Sequence, residues 1–412
     1  MQRKRPASKP RYPAPELITT HAALEKLCMR LANESFVTID TEFMREKTYW
    51  PELCLVQLAG TADVALIDVC AEGMDLAPLA ALLQAKDCVK VFHAARQDLE
   101  IFLHLFGVLP TPIYDTQVAA MVAGYGDQVG YDSLVQALTG RSIDKAHRFS
   151  DWSLRPLTPA QRDYAAADVT YLREVYEALR DELAAAGRQD WAQAELAVLQ
   201  DPATFQPDPE KQWERLKPRT HNRRMLGLLR EVAAWREREA QKLNIPRQRV
   251  IRDESLLEIA ATRPADAQAL ERVRGVTRGF VQSKSGEGLL TAINAGCALP
   301  DEALPRLPKR PDSARPSAGV VALLRLLLTI QCESHRVSPR LVANNDDIDR
   351  IALGARDVKA LSGWRHAVFG AAALAFLSGR RAIYIDGQKI AFTERGDPAS
   401  PEPQDGQPKS AT

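Results

Sequence analysis

The alternation of apolar and polar positions divides the 412-residue chain into a front part that mixes strands with helices and a back part that reads as helix alone. Residues 36–39, 53–58 and 64–67 are short β-prone runs, and Gly60-Thr61-Ala62-Asp63 between the last two has the composition of a hairpin turn. Residues 76–83 are helical in pattern, 88–92 form another strand, and 94–106 carry helical periodicity that stops at Gly107. Residues 113–115 read as a short strand entering a helix. At 158–161, Thr158 stands as N-cap, Pro159 takes the first helical position and Gln161 closes a capping box. A helix is therefore expected from Pro159 to about Ala186. Strands followed by alternating helix and strand predict an α/β domain built on a mixed sheet with flanking helices.

Beyond a proline-rich stretch at 202–218 the pattern becomes all-helical and repeats. Residues 245–260 match residues 337–352 at an offset of 92, and each copy follows a long apolar-periodic helix, 225–243 and 320–332. Two related small helical domains are expected. The boundaries that follow are a disordered N-terminus at 1–13, an α/β domain at 14–205, a linker at 206–218, a helical domain at 219–299, a second linker at 300–316, a second helical domain at 317–390 and a disordered tail at 391–412.

Composition changes this picture little. Hydrophobic residues are 45% and charged residues 26%, ordinary for a globular protein. No stretch approaches the roughly 18 apolar residues of a membrane span, and the basic N-terminus lacks the apolar core of a secretory signal. The six cysteines form no C-x-x-C pair, which argues against a zinc cage or a disulfide framework and for a reducing cytoplasmic setting. Charge is more informative. The net of +1 hides −13 over residues 14–205 and +7 over residues 206–310. A basic segment suits a polyanionic partner, and an acidic domain that must meet the same partner needs bound cations.

Four acids stand out. Asp40 and Glu42 follow the first strand two residues apart, so their side chains share a face. Asp98 lies one turn into the helix after strand 88–92, and Asp168 lies four residues after Tyr164 on one helical face. Converging carboxylates are what hard divalent cations such as Mg²⁺ and Mn²⁺ require, and two such ions about 3.5–4 Å apart can drive phosphodiester hydrolysis.

In order and neighbours these residues resemble a known family. Asp40-Thr41-Glu42-Phe43, the run from His93 through Asp98 to Phe102, and the run from Tyr164 through Asp168 to Leu172 resemble the three motifs of the DEDD exonucleases, in the tyrosine variant. The stretches 40–46, 49–55 and 151–157 are similar to the ribonuclease D family, and the two helical repeats are similar to HRDC domains. The resemblance covers residues 15–385 and implies a ribonuclease H-like mixed sheet followed by two all-α HRDC-like domains. It implies a 3′→5′ exoribonuclease that trims RNA 3′ ends, especially tRNA precursors with 3′ extensions, and releases nucleoside 5′-monophosphates; a cytoplasmic monomer is expected. It implies two metal ions, with Asp40, Glu42 and Asp168 on one and Asp98 serving the second, and with Tyr164 orienting the attacking water. Phe43, Arg155, Arg247 and Arg278 are candidate substrate contacts, with Arg249, Arg252, Arg274 and Lys284 as further basic positions. Trp152 is expected to pack, His93 to support the site, Gln57 to face the sheet and Asp115 to cap a helix. A DNA-directed 3′→5′ exonuclease and a non-catalytic RNA-binding protein remain as alternatives. A helicase is not supported, because the chain has no G-x-x-x-x-G-K-[ST] loop.

Overall fold

A computed structural model describes residues 13–144, 146–305 and 315–395. The parts of the expected termini and second linker at 1–12, 306–314 and 396–412 lie outside the described residues. The chain divides into two units: residues 1–119 with 130–310, and residues 120–129 with 311–412.

In the first unit the order is β1 (Glu16–Ile18), α1 (His21–Leu31), β2 (Phe36–Met44), β3 (Glu52–Ala59), β4 (Val64–Asp68), α2 (Ala77–Leu83), β5 (Val89–Phe92), α3 (Arg96–Phe106), β6 (Ile113–Asp115), α4 (Thr116–Ala123), α5 (Tyr131–Thr139), α6 (Pro159–Ala185) and α7 (Gln189–Leu196). The six strands form one mixed sheet in the order β1-β4-β3-β2-β5-β6. The expected hairpin joins β3 to β4, closed by the Gly60 amide donating to the Asp63 carbonyl at 2.9 Å. One layer of the core lies between the sheet and α1, α2 and α3, where Leu24, Leu31, Ile39, Phe92 and Phe102 are buried. Gly107 ends α3 in the left-handed region at φ 72°, as its position after the apolar run requires.

The helix α6 covers the opposite face of the sheet. It opens with the expected capping box, Thr158 accepting from the Gln161 amide while the Gln161 side chain accepts from the Thr158 amide. Its buried Arg173 donates to the carbonyls of Phe36 and Ala59 and lies 4.1 Å over the Phe36 ring. Thr38 donates to the Val169 carbonyl at 2.7 Å. These bonds fix the rotation of α6 on the sheet, and so the direction of Tyr164 and Asp168.

Several expectations need correction. The short β1 pairs in parallel with β4 and was not legible, because three residues carry no period. Residues 206–218 are not a free linker. Pro209–Leu216 is a 3₁₀ helix, and its Trp213 is buried in the core of the first helical domain. That domain comprises α8 (Arg223–Leu243), α9 (Arg247–Val250), α10 (Asp253–Thr262), α11 (Ala267–Leu270), α12 (Arg278–Val281) and α13 (Lys284–Cys297). Tyr49, from the segment after β2, is buried in the same core, and Trp50 stacks on His104 at 4.2 Å while its amide donates to Asn244 Oδ1 at 3.0 Å. The α/β and first helical domains therefore share a packed joint.

The second unit contains α14 (Ala318–His335), α15 (Pro339–Val342), α16 (Asn345–Ala352), α17 (Gly363–Arg365), a π-helical turn (His366–Gly370), α18 (Ala371–Leu377), and an antiparallel hairpin of β7 (Arg381–Asp386) and β8 (Lys389–Glu394). Strand β8 occupies the start of the expected tail, so residues 391–394 are ordered by pairing. Residues 120–129 belong here rather than with the α/β domain, the Ser338 amide donating to the Met121 carbonyl at 2.9 Å. The repeat is structural as well. The left-handed caps Asn244 and Arg336, and the starts of α9 and α15 and of α10 and α16, all stand 92 residues apart.

Candidate active site

Strand β2 is longer than its apolar run, and its polar end builds the site. It pairs with β5 only at Phe36, Val37 and Thr38, whereas its pairing with β3 continues to Met44. Asp40 and Glu42 are therefore inside the strand, past the point where β5 has turned away. Their two-residue spacing keeps them on one face. A bulge between Glu42 and Phe43 breaks the alternation directly afterwards.

The turn from β5 into α3 brings in the third acid. Asp115, at the end of β6, accepts from the amides of Ala94 and Ala95 at 3.0 and 2.9 Å and from Gln117 at 2.8 Å. It thus caps α4, as expected, and also ties down the turn that launches α3. Ala94 takes φ 58° to make that turn, so α3 begins at Arg96 and Asp98 falls in its first turn. Thr41, on the face of β2 opposite Asp40, donates to Asp98 Oδ1 at 2.5 Å. Tyr164 and Asp168 come from α6, and the tyrosine hydroxyl hydrogen-bonds the aspartate.

Asp40, Glu42 and Asp168 offer carboxylate oxygens that all lie within 4.8 Å of one another. Asp98 stands beside this trio, close enough for its charge to repel Asp40 and Glu42. Desolvation, then repulsion from Asp168, holds the Asp40 carboxyl well above the usual carboxylate range. Desolvation and the charges of Asp40, Asp168 and Asp98 push Glu42 up to about 10. Asp98 is raised by burial and by Asp40, and Asp168 is raised to about 7 by burial, against the opposing Tyr164 hydrogen bond. Burial first, then Asp168, Glu42 and Asp40, raises the Tyr164 hydroxyl, so it holds its proton firmly.

A cavity of about 280 Å³ opens over the cluster, with Asp40, Tyr164, Asp168, His93, Tyr131 and Arg148 among its lining residues. His93 Nδ1 lies 3.0 Å from Thr116 Oγ1, and Tyr131 donates to the Ala167 carbonyl at 3.0 Å. The buried amide of Gln57 stands opposite Asp40 in register and neither of its polar atoms has a partner among the described residues. Gathered carboxylates, with no Lys or Arg paired to them among the described residues and an orphaned amide beside them, form a hard-oxygen donor set that fits divalent cations such as Mg²⁺ and Mn²⁺.

The candidate substrate contacts fare differently. Arg155 is an internal tie. It grips Asp68 with two bonds of 2.8 and 2.7 Å and donates to the carbonyls of Cys54, Trp152 and Leu154. This spends its guanidinium on the fold. Arg247 is paired with the buried Glu237 and lies 4.8 Å over the Tyr49 ring, so it too serves packing. Both were legible as arginines, but a sequence does not reveal which carboxylate lies within reach. Phe43 is half-buried after the bulge, Arg278 is exposed at the start of α12, and Trp152 packs 6.0 Å from the Tyr164 ring. Arg148 on the cavity wall was not singled out from sequence; a lone basic residue in a loop gives no periodic signal.

The chain is similar to known proteins in sequence and in fold. The sequence profile described as "3'-5' exonuclease" matches residues 15–184, and that of the HRDC domain matches residues 225–293. Ribonuclease D of Gluconacetobacter diazotrophicus is 62% identical over 93% of this chain and 98% of its own length. Ribonuclease D of Granulibacter bethesdensis is 59% identical over 94% and 99%. The crystal structure of Escherichia coli RNase D, described as an exoribonuclease involved in structured RNA processing, superposes with TM-score 0.75 at 31% identity, covering 89% of this chain and 99% of that one. With its mixed sheet, its acidic cavity and near full-length likeness to these enzymes, the chain belongs to the ribonuclease D family and is a hydrolase, a 3′→5′ exoribonuclease whose substrate is RNA.

Proposed function

We propose that Asp40, Glu42, Asp98, Tyr164 and Asp168 are the catalytic residues and that two divalent cations, Mg²⁺ or Mn²⁺, complete the site. Asp40, Glu42 and Asp168 would hold one ion, and Asp98 together with Asp40 would hold the other. The observation that carries this reading is the trio of carboxylates within 4.8 Å, with all four acids pushed above the usual carboxylate range. When bound, such ions lower the pKa of water and neutralise charge at the scissile phosphate. The chain's own residues then orient and exclude. Tyr164 keeps its proton and positions the attacking water by hydrogen bonding, since a phenol raised above its usual value is no base near neutrality. Thr41 holds Asp98 in place. The water oxygen loses a proton to solvent and bonds to phosphorus, the phosphorus–oxygen bond to the 3′-oxygen of the preceding nucleotide breaks, that oxygen takes a proton from solvent to become the new 3′-hydroxyl, and a nucleoside 5′-monophosphate is released.

The reading extends to tRNA precursors with 3′ extensions, handled by one cytoplasmic chain. The HRDC match, the net of +7 over residues 206–310 and the structured-RNA role of the Escherichia coli relative favour folded substrates. The acid cluster is complete within a single chain. Among the described residues, no helix is long and apolar enough to cross a membrane. The test is a cleavage time course on 3′-extended tRNA and on DNA of matched length, in Mg²⁺, Mn²⁺ and EDTA. Stepwise, metal-dependent shortening of the RNA is expected. Cleavage that persists in EDTA would overturn the metal assignment, and DNA trimmed as fast as the 3′-extended tRNA would overturn the substrate assignment.

A further inference from the structure

We propose that Arg148 and Phe149 form a subsite that grips the 3′ end of the RNA, the guanidinium pairing with a phosphodiester and the ring stacking on the 3′-terminal base. The proposal deepens the exonuclease reading of the acid cluster and rests on it. Arg148 lines the cavity that also exposes Asp40, Tyr164 and Asp168, and it is the one Lys or Arg among the described residues of that lining. Every other wall charge repels a phosphate. Arg155, Arg173 and Arg247 are each spent on carboxylates or carbonyls, whereas Arg148 has no ion pair or hydrogen bond among the described residues.

Its neighbour is the second observation. Phe149 is 91% exposed, the most exposed large apolar side chain among the described residues. Keeping a phenyl ring in water forgoes its burial energy, and a nucleobase is a flat partner that would cover it. The Arg148 guanidinium lies 5.5 Å from the Phe149 ring centroid, so charge and stacking face form one unit. The segment that carries them is anchored beside the reaction centre. His147 lies 6.4 Å from the Tyr164 ring, Trp152 packs under that ring, and Arg155 ties the segment's end to Asp68. Every base has a stacking face, so the subsite would accept any 3′-terminal nucleotide.

The test uses the full chain, a ten-nucleotide single-stranded RNA, and the same RNA with an abasic site at the 3′ end or five nucleotides upstream. Both side chains are exposed, so their replacement leaves the core intact. Phe149→Ala should raise KM about tenfold, and Phe149→Trp should restore it. The 3′-terminal abasic site should cost the wild type a similar factor and cost Phe149→Ala almost nothing, while the upstream abasic site should cost both equally little. Arg148→Ala should lower the slope of log KM against log salt by about 0.7, the value of one single-strand phosphate contact, and Arg148→Lys should keep it. The same cycle is read without turnover, as equilibrium binding of these RNAs to the Asp40→Asn chain. Equal terminal-abasic penalties in wild type and Phe149→Ala, or an unchanged salt slope in Arg148→Ala, would overturn the subsite. Failure of the wild type to trim, with the binding cycle intact, would instead count against the catalytic reading.

Discussion

Two groups of buried carboxylates lie in the first unit, and they are built in opposite ways. At the joint between the α/β and first helical domains, Glu237 is almost wholly buried, its side chain 1% exposed. Arg247 donates to both of its oxygens, Tyr49 donates to one, and Gln241 bonds the Tyr49 hydroxyl at 3.1 Å. At the acid cluster, four carboxylates stand together and, among the described residues, no arginine or lysine pairs with them, Arg148 on the cavity wall being bound to none. A buried charge with its counter-charge in place is part of the architecture. Burial, reinforced by neighbouring like charges, raises the unpaired carboxyls, the pattern that marks a site built to take a cation. The difference sets a paired structural joint apart from the proposed catalytic centre.

Asp40 is where the two groups of carboxylates should differ most. Asp40→Asn should reduce RNA trimming roughly 10³-fold, several kcal/mol of barrier, while the chain stays folded. Trimming within tenfold of wild type would remove the cluster from the catalytic centre. At the joint the sign reverses. Arg247→Met leaves Glu237 buried without its cation and should cost about 3 kcal/mol in urea unfolding. Adding Glu237→Leu should recover most of that loss, and no recovery would mean the pair is not coupled.

The acid cluster also predicts a pH dependence. Its carboxyls are raised in the folded chain, so it binds protons that the unfolded chain has released. The stability they contribute is full below about pH 4 and is lost as pH rises through about 7 at Asp168 and about 10 at Glu42. The melting temperature in EDTA should therefore fall from pH 5 to pH 9, and Mg²⁺ should flatten the curve. A flat curve in EDTA would refute the raised carboxyls, and with them the burial that chiefly raises Asp168 and Glu42 and the like charges that add to it at Glu42. The smallest effect is expected at the exposed Arg278. Arg278→Ala should weaken binding of 3′-extended tRNA about threefold and reduce its salt slope by about 1, leaving short single-stranded RNA unaffected.

Much of this was legible along the chain. The hairpin at 60–63, the α6 capping box, the stop at Gly107 and the 92-residue repeat are local chemistry, and each appears where the residues placed it. The four acids and Tyr164 were found because their neighbours carry a family pattern, and the structure brings all five around one cavity or beside it. Arg155 and Arg247 read as phosphate contacts because a cation in a basic or loop segment looks free until its partner is known. Asp68 lies 87 residues from Arg155, and no local rule connects them. The same holds for Trp213, which sits in an apparent linker yet fills a core shared with Tyr49.

Residue order alone was enough for the longer strands and helices of the α/β domain, the α3 and α6 ends, the internal repeat and, through their motif neighbours, the acids, because period, cap chemistry and motif wording act within a few positions; it was not enough for β1, the 3₁₀ helix at Pro209–Leu216 or β8. Long-range packing settled that β2 outruns β5 and opens the site, that Asp115 ties the turn carrying Asp98, and that Glu237 has a cationic partner while Asp40 has none among the described residues. The physical reason is that burial and partnership are properties of contacts between distant segments. Whether a charged side chain stabilises the fold or stands ready for a cation and a phosphate depends on what the rest of the chain places beside it.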